Sequence, residues 1–406
     1  MSRIRIATFN IENLFARPEF ADPSRAGDNR VGMYVFEDVA EARTVRRTAE
    51  ATLSDDARQL TAQALLDTDA DVVALQEVDG EAALQLFRDV YLTPTLAPRI
   101  ANAIKQKLPE LRTEAQGMPG DFAGNLKRLI AEARGEIERR TGYAYARVIK
   151  GNDGRGIDVG VLSRKPLLRV TSHAHWTYRD FGLWTPDLAG ALDGERRHRD
   201  DDRGRPSAND RIFRRDCLEV DIDVGGGKSV TLFVCHFKAN PPHREATYPI
   251  RLAEAKAVRR IIQTRFGKGA ADAAWVICGD LNDYVEIDGD STMPDLMTGQ
   301  STRSALAALL EAADGHPPFA YDANQLIADP RARWTSYFPR DDVYCQLDHI
   351  LLSPALWRAN QDKVPKIGRA GQPYRAVRYT GPRYPRAGFD RPKASDHCPI
   401  VMELEV

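Results

Sequence analysis

The sequence predicts an α/β fold built from apolar strands and outer helices. Six apolar runs have the length and composition of strands, and each ends or begins at an Asp, Glu, Asn or His side chain. Two other segments, 44–67 and 246–265, carry apolar residues at helical spacing. Buried strands avoid unpaired charged groups, because burying such groups is costly. The polar strand ends therefore indicate that the strands converge on a shared cation and ligand.

The stretch from residue 278 to residue 283 is the most informative of these strand ends. It reads Cys-Gly-Asp-Leu-Asn-Asp and follows the apolar run 273–277. Because side chains alternate along a strand, Asp280 and Asn282 project from the same side. A carboxylate holds a cation or orients a water molecule, and a carboxamide donates to a phosphate oxygen without adding charge. A simple strand-to-turn junction has the same composition, so this stretch alone leaves both interpretations open.

The other five apolar runs repeat the construction along the whole chain. Three of them end at a polar residue and two begin at one. The polar residues concerned are Asn10 (with Glu12 two residues later), Glu77, His236, Asp348 and the pair Asp396-His397.

The ordered set of motifs resembles the endonuclease/exonuclease/phosphatase superfamily, also called deoxyribonuclease-I-like. The set spans nearly the whole chain and follows the order of the family. The resemblance implies a four-layer αββα sandwich, in which two mixed β-sheets pack face to face with helices outside. It also implies a divalent-metal phosphoesterase site at one edge. The matching strings are Thr8-Phe9-Asn10, Leu75-Gln76-Glu77, His236-Phe237-Lys238, Gly279-Asp280-Leu281-Asn282-Asp283, Leu347-Asp348-His349-Ile350 and Ser395-Asp396-His397.

A divalent cation is the cofactor that the resemblance implies. Glu77 matches the metal-binding Glu of the family, and Asn10 and Asp396 match residues at or near that metal. Glu12 shares a strand face with Asn10, although not every family member has a carboxylate there. Because these side chains are oxygen donors, which hard cations prefer, we expect Mg²⁺ or Mn²⁺.

The remaining motif residues resemble the catalytic groups of the family. Asp280 matches the carboxylate that orients or deprotonates the attacking water, and Asn282 matches the amide that binds a scissile phosphate oxygen. Asp348 and His397 match an Asp–His pair, in which the histidine acts as the base or steadies the pentavalent phosphate. His236 resembles the second histidine of the deoxyribonuclease and sphingomyelinase branches, which helps the leaving oxygen depart.

Two cationic residues are further candidates for substrate binding. Arg155 lies in a Gly-rich turn before an apolar run, where its guanidinium could reach a phosphate with two parallel hydrogen bonds or face solvent. Lys238 follows His236 and could touch a substrate phosphate, although an exposed lysine at a strand end is the simpler interpretation.

Composition is compatible with a single globular domain. The chain has 406 residues, of which 43% are hydrophobic and 28% charged, and its net charge of -1 provides no overall basic field for a polyanion. Because the motifs run from one end to the other, we predict one domain over residues 1–406. The predicted insertions lie near 95–140 (two or more helices, a possible cap over the site), 177–210 (a long loop) and 367–393 (a second long loop).

Cysteine usage and hydropathy bear on the cellular location. The five cysteines are an odd number, and the paired Cys-x-x-Cys spacing of zinc sites is absent. No apolar run is long enough to cross a bilayer. These observations favour a reduced, cytoplasmic protein without a membrane span.

The leading functional hypothesis is a Mg²⁺- or Mn²⁺-dependent phosphodiesterase that cleaves nucleic acid, with DNA as the favoured substrate. It rests on His236, on the Arg/Tyr-rich loops and on a resemblance of residues 9–15 to bacterial nuclease-like members. The alternative is a phosphatase or phospholipase-type hydrolase of a small phosphorylated metabolite or lipid headgroup. A sphingomyelinase-like role favours an exported chain and exposed aromatic loops, and the sequence indicates neither. A catalytically inactive binding module is disfavoured because all six motif strings are intact.

Overall fold

The computed structural model describes residues 2–14, 55–198, 204–241, 243–285, 303–312, 317–339 and 342–406. Helix α1 (Asp55–Asp67) covers the second half of the helix predicted over 44–67, and residues 44–54 lie outside the described residues. Two six-stranded sheets and a two-stranded ribbon make up the β structure of this part of the chain.

The first sheet brings the two ends of the chain together. Its strand order is β13-β14-β1-β2-β4-β3. Strands β1 and β2 run parallel, whereas β14 pairs with β1 and β4 pairs with β2 in antiparallel fashion. The strands are β1 (Arg3–Leu14), β2 (Val72–Val78), β3 (Tyr145–Val148), β4 (Asp158–Ser163), β13 (Lys366–Ile367) and β14 (Ile400–Glu405).

The second sheet contains the middle of the chain, in the order β5-β6-β7-β8-β12-β9. Its central pair, β7 and β8, runs parallel, and its other pairs are antiparallel. Its strands are β5 (Leu167–Ser172), β6 (Cys217–Gly225), β7 (Lys228–His236), β8 (Trp275–Asp280), β9 (Tyr321–Asp322) and β12 (Asp348–Leu352). The ribbon pairs β10 (Ser336–Phe338) with β11 (Val343–Cys345).

The two sheets pack face to face. Ile6 and Val72 of the first sheet share one buried cluster with Val220, Val276 and Ile350 of the second sheet. Alternation along each strand directs the intervening side chains to the outer faces, where helices cover them. The interior between the sheets is therefore apolar, and polar strand residues come together at the ends of the strands.

Helices cover both outer faces. Helices α1 and α2 (Gly80–Phe87) pack on the first sheet through residues such as Leu65 and Phe87. Helices α5 (Pro186–His198) and α6 (Arg244–Phe266) pack on the second sheet through residues such as Leu192 and Val258. The arrangement is the predicted four-layer αββα sandwich, and the helix predicted over 246–265 is confirmed by α6. Two short helices, α7 (Ala307–Leu310) and α8 (Pro354–Asn360), complete the fold.

The 95–140 insertion forms a helical hairpin. A π-helical turn (Arg88–Leu92) leads into α3 (Thr93–Gly117), and α4 (Phe122–Thr141) returns along it. The hairpin has a small core of its own, which includes Leu111 and Leu129, and it packs against α1 and the π-helical turn. Through these contacts the hairpin extends the helical layer outside the first sheet, and they do not support the cap over the site that the sequence suggested.

The predicted loop over 177–210 is wrong where the segment forms helix α5. The charge run in that segment indicated a solvated loop, but Leu188 and Leu192 are buried against the second sheet. The neighbouring charges are neutralised by partners distant in sequence, as in the pair between Glu195 and Arg214 (2.7 Å). The segment 367–393 is irregular after β13, as predicted.

Two further predictions concern cysteines and membranes. All five cysteines are buried and carry free thiols. Throughout the ranges that the structure describes, every helix is too short or too polar to traverse a bilayer.

Candidate active site

Parallel strand pairs in both sheets bring polar residues to one edge of the sandwich. Asn10 lies where the register of the parallel strands β1 and β2 shifts, four residues before the end of β1, and Glu77 is the next-to-last residue of β2. His236 and Asp280 are register partners at the carboxyl ends of β7 and β8. Asp348 is the first residue of β12, which runs antiparallel to β8, and it is the register partner of Asp280. Register therefore gathers two of the predicted residues in the first sheet and three in the second, and the packing of the sheets brings the two groups together, as the hydrogen bond between Asn10 and Asp280 shows.

Asp280 is the centre of this cluster and is only 2% exposed. Its Oδ2 atom accepts a hydrogen bond from Asn10 Nδ2 at 3.0 Å. The same atom lies 3.5 Å from His236 Nε2 and 3.7 Å from His397 Nε2. Its other oxygen, Oδ1, accepts from the backbone N–H of Asn282 at 3.0 Å. Burial raises the pKa of Asp280, and the charge of His397 opposes that rise.

Asp348 and His397 form the predicted pair. Nδ1 of His397 lies 2.7 Å from Oδ2 of Asp348, which is fully buried. Burial alone would lower the pKa of His397, but the negative charges of Asp348 and Asp280 prevail and raise it well above its ordinary value. The imidazole of His397 is therefore held as an imidazolium that faces Asp280.

Glu77 and Asp396 are half-buried carboxylates on the same side of the cluster. Glu77 accepts from Asn10 Nδ2 (3.3 Å) and from the backbone N–H of Asn13 (3.0 Å). Burial raises the pKa of Glu77, and the negative charge of Asp396 raises it further. Lys393 and His397 hold the pKa of Asp396 below its usual range although burial opposes them. Two carboxylates that repel each other in a partly buried site are suited to a hard divalent cation.

A second group of ligand-type atoms lies nearby. Within the described part of the chain, oxygen and nitrogen atoms of Asp280, Asp348 and His397 lie within 4.8 Å of one another. A cation in that position would displace the hydrogen bond between Asp348 and His397. Hard cations also prefer oxygen to imidazole nitrogen. By donor chemistry alone, two carboxylates such as those of Glu77 and Asp396 suit a hard cation better than this Asp–Asp–His group does.

Asn10 and Glu12 differ in how they reach the cluster. Asn10 donates to both Asp280 and Glu77, and its Oδ1 accepts from the backbone N–H of Glu12. The carboxylate of Glu12 instead forms ion pairs with Arg391 (2.9 Å) and Lys393 (3.1 Å). The structure thus brings the amide of Asn10 between two carboxylates, whereas the side chain of Glu12 is turned to the 367–393 segment.

Asn282 and Lys238 are both held by backbone carbonyls. Asn282 is buried beside Asp280, and its Nδ2 donates to the carbonyl of Phe237 at 3.2 Å. Lys238 is buried as well, and its Nζ donates to the carbonyls of Ala239 (2.8 Å) and Pro241 (3.3 Å). Lys238 is therefore not the exposed strand-end lysine of the simpler interpretation, and its ammonium group is directed to the loop that follows it.

Arg155 is clamped by a carboxylate that sequence reasoning missed. The Arg155 side chain is 55% exposed, and it donates from Nε (3.1 Å) and Nη2 (3.0 Å) to Asp153, whose side chain is 3% exposed. Asp153 also pairs with buried Arg215 at 3.2 Å. Burial opposes ionisation of Asp153, but both arginines prevail and lower its pKa to about 2. Within the described residues the Arg155 guanidinium forms no hydrogen bond or ion pair with the cluster, but its positive charge lies near enough to lower the pKa of His236.

His236 completes the cluster as a neutral imidazole. It is buried, and among the described residues its Nδ1 has no hydrogen-bond partner. Burial lowers its pKa well below the ordinary value, and the positive charges of Arg215, His397 and Arg155 lower it further. The two histidines therefore differ in charge at neutral pH, although both lie against the same oxygen of Asp280.

Comparison with known proteins gives one family and several similar folds. The profile described as the Endonuclease/Exonuclease/phosphatase family matches residues 7–397. A search among curated proteins finds no match to the chain. The structure is similar to truncated Caenorhabditis elegans TDP2, with TM-score 0.45 and 11% identity, covering 100% of this chain and 98% of that one. It is also similar to D. rerio TDP2 complexed with single strand DNA product (TM-score 0.45, 13% identity, 100% of both chains). A third similar structure is the 3' phosphatase NExo from Neisseria bound to product DNA hairpin (TM-score 0.38, 14% identity, 99% of this chain and 100% of that one).

The sandwich and the carboxylate–histidine cluster define a phosphoester hydrolase. The chain belongs to the endonuclease/exonuclease/phosphatase family, whose profile it matches over nearly its whole length.

Proposed function

We propose that the protein is a Mg²⁺- or Mn²⁺-dependent phosphodiesterase that cleaves DNA. The observation that carries the proposal is the convergence of Asn10, His236 and His397 on one oxygen of the buried carboxylate of Asp280. Hydrolysis of a phosphate diester requires a positioned base for water and positive charge around the phosphate. The carboxylate of Asp280 supplies the base, and the His397 imidazolium beside it supplies positive charge, to which a bound cation would add.

The cation would be held by Glu77 and Asp396, with Asn10 keeping the Glu77 carboxylate in position. When bound, Mg²⁺ or Mn²⁺ supplies charge neutralisation at the phosphate and lowers the pKa of a coordinated water. The mutual repulsion of the two carboxylates supports this assignment, because a cation between them relieves it.

The protein's own groups supply the remaining steps. Asp280 orients the attacking water and accepts its proton, and His397, as an imidazolium fixed by Asp348, stabilises the pentavalent phosphate. Asn282 donates to a phosphate oxygen after a small rotation away from the Phe237 carbonyl. His236, as a neutral imidazole, donates a hydrogen bond to the leaving oxygen, which takes its proton from solvent. Lys238 and Glu12 have no direct part in this scheme, because their charged groups are engaged elsewhere.

Arg155→Ala is expected to raise KM for a phosphodiester about tenfold while kcat changes little, because a charge-assisted hydrogen bond to substrate is lost in both ground and transition states. Asp153→Asn should have the same effect on KM, since it releases the Arg155 guanidinium. The measurement is steady-state kinetics on bis(4-nitrophenyl) phosphate. Arg147→Ala is the matched control, because Arg147 is an exposed arginine paired with Glu81 at 3.3 Å. An unchanged KM in Arg155→Ala would exclude the contact.

The substrate class is tested by comparing the hydrolysis of the candidate substrates under the same conditions. The wild-type protein with Mg²⁺ or Mn²⁺ is incubated with plasmid, with single-stranded DNA and with a panel of phosphomonoesters and sphingomyelin, at matched metal and salt. We expect DNA cleavage, with binding that weakens steeply as salt rises because phosphate contacts release counterions. Rapid hydrolysis of one monoester or of the lipid, with DNA intact, would establish the alternative hydrolase and leave the site assignments standing.

A further inference from the structure

The segment 367–393 is fastened to the candidate site at two places. Near its start, the side chain of Gln372 donates to the carbonyls of Ser395 (3.1 Å) and His397 (3.0 Å). At its end, Arg391 and Lys393 form ion pairs with Glu12. Because both anchors lie within two residues of predicted site residues, the segment forms one border of the site.

This border exposes large apolar side chains. Tyr374 is 52% exposed, and Val377 and Phe389 are each 67% exposed. The backbone of Tyr374 donates to Gly388, and the N–H of Arg375 donates to the carbonyl of Phe389, both at 2.9 Å. The segments that carry Tyr374 and Phe389 therefore run side by side. We call the surface formed by Tyr374, Val377 and Phe389 the aromatic rim.

The chemistry around the aromatic rim complements an anion. The segment 367–393 contains seven Arg and Lys residues and a single carboxylate, Asp390. Four of these cations pair with carboxylates: Arg375 with Asp390, Arg386 with Asp56, and Arg391 and Lys393 with Glu12. The guanidinium groups of Arg369 and Arg383 donate to backbone carbonyls, which do not neutralise their charge. The Arg383 guanidinium lies 4.8 Å from the centroid of the Tyr374 ring. Exposed rings interleaved with cations are the composition of surfaces that bind single-stranded nucleic acid, because bases stack on the rings and phosphates meet the cations.

A lipid surface is the other partner that exposed aromatics fit. The sequence did not indicate exposed aromatic loops, and the exposure of Tyr374 and Phe389 corrects that expectation. The exposed charges of Arg375 and Asp390 form an ion pair (3.2 Å) between the two ring-bearing segments. An apolar patch interrupted in this way suits a polyanion with separate bases better than the continuous apolar interior of a bilayer.

We propose that the aromatic rim binds unpaired bases of a DNA strand next to the scissile phosphate, so that the enzyme engages single-stranded segments more tightly than duplex. This inference rests on the proposed phosphodiesterase function and assigns its substrate class. A base stacked on Tyr374 or Phe389 must be out of its duplex, because in a double helix the faces of each base are covered by its stacked neighbours.

The test compares the double variant Tyr374→Ala/Phe389→Ala with the wild-type protein. Fluorescence anisotropy measures the affinity for a labelled single-stranded oligothymidylate and for a labelled duplex, in EDTA so that no probe is hydrolysed. We expect the dissociation constant for the single strand to rise about tenfold or more, and that for the duplex less than about twofold. Tyr374→Phe and Phe389→Tyr keep a ring and should bind the single strand normally.

Controls separate this inference from the proposed function. Phe122→Ala removes an aromatic that is 42% exposed on the helical hairpin and should leave both affinities unchanged. Hydrolysis of bis(4-nitrophenyl) phosphate should be unchanged in the double variant, because that substrate has no base. Suppose that the wild-type protein cleaves DNA. The rim assignment is then wrong if the double variant keeps its normal affinity for single-stranded DNA, or if it loses affinity for single-stranded and duplex DNA equally. Loss of binding to sphingomyelin vesicles, with DNA binding intact, also overturns it. Absence of DNA cleavage by the wild-type protein refutes the proposed function itself.

Discussion

Asp280→Asn is expected to lower kcat about a thousandfold, with KM changed far less. Removal of a positioned general base costs roughly 10²- to 10⁴-fold in rate. The amide retains the size of the carboxylate, and its oxygen can still accept from the backbone of Asn282. Its NH₂ group, however, cannot accept from Asn10 and cannot take a proton from water. The measurement is turnover of DNA and of bis(4-nitrophenyl) phosphate at saturating substrate and metal.

Asp272→Asn is the matched control for this variant. Asp272 lies just before β8, and its side chain is 81% exposed and paired with Arg358. It should retain full activity. Comparable near-ultraviolet circular dichroism of Asp280→Asn and wild type would show that packing is intact. If Asp280→Asn retained more than about a tenth of wild-type turnover, Asp280 could not be the base, and the cluster around it would need another proton acceptor.

Removing the divalent cation is expected to abolish activity, and Glu77→Ala is expected to do the same by weakening the site. EDTA should inactivate the wild-type protein, and Mg²⁺ or Mn²⁺ should restore it. In Glu77→Ala the thermal midpoint in EDTA should change little, because lost hydrogen bonds to Asn10 and Asn13 are offset by relief of the repulsion from Asp396. Added Mn²⁺ should raise the thermal midpoint of Glu77→Ala less than that of the wild type, because stabilisation by a bound ligand decreases as its dissociation constant increases.

Glu81→Ala provides the comparison for Glu77→Ala. Glu81 lies four residues further along, and its carboxylate pairs with Arg147 away from the cluster. Its variant should keep both activity and the Mn²⁺-dependent rise in thermal midpoint. Full activity in a rigorously metal-free preparation would exclude the hypothesis that hydrolysis depends on a divalent cation, whatever the behaviour of the variants.

The layered fold was predictable because the ordered set of strand-end motifs resembles the endonuclease/exonuclease/phosphatase superfamily, and that resemblance implies the sandwich. Strand runs that end at Asn10, Glu77, His236 and Asp280 are visible in the sequence, and their convergence follows once the strands pair in parallel. Helix α5 was not predictable in the same way. Its charges suggested solvent, and the ion pair between Glu195 and Arg214 that neutralises them joins residues 19 positions apart.

In the site, too, the sequence predicted which residues are present better than it predicted which groups they contact. The pairing of Asp348 with His397 followed from the family resemblance, and the structure brings the two side chains to hydrogen-bonding distance. The clamp on Arg155 was missed although Asp153 lies only two residues before it, because nothing in the sequence indicates that Arg215 buries and fixes that carboxylate. Burial of Lys238 was missed for the same reason. Every residue has a carbonyl acceptor, and only the folded loop determines which carbonyls Lys238 contacts.

The antiparallel pairing of β1 with β14 has a consequence for how activity appears during synthesis. Arg3 lies opposite Glu405, and the hydroxyl of Ser395 donates to the carbonyl of Asn10 across 385 residues of chain. Contacts of such long sequence separation form late, because closing the loop costs entropy before the contact repays it. A nascent chain therefore cannot bring Asn10 and His397 together until β14 has been synthesised and has left the ribosome.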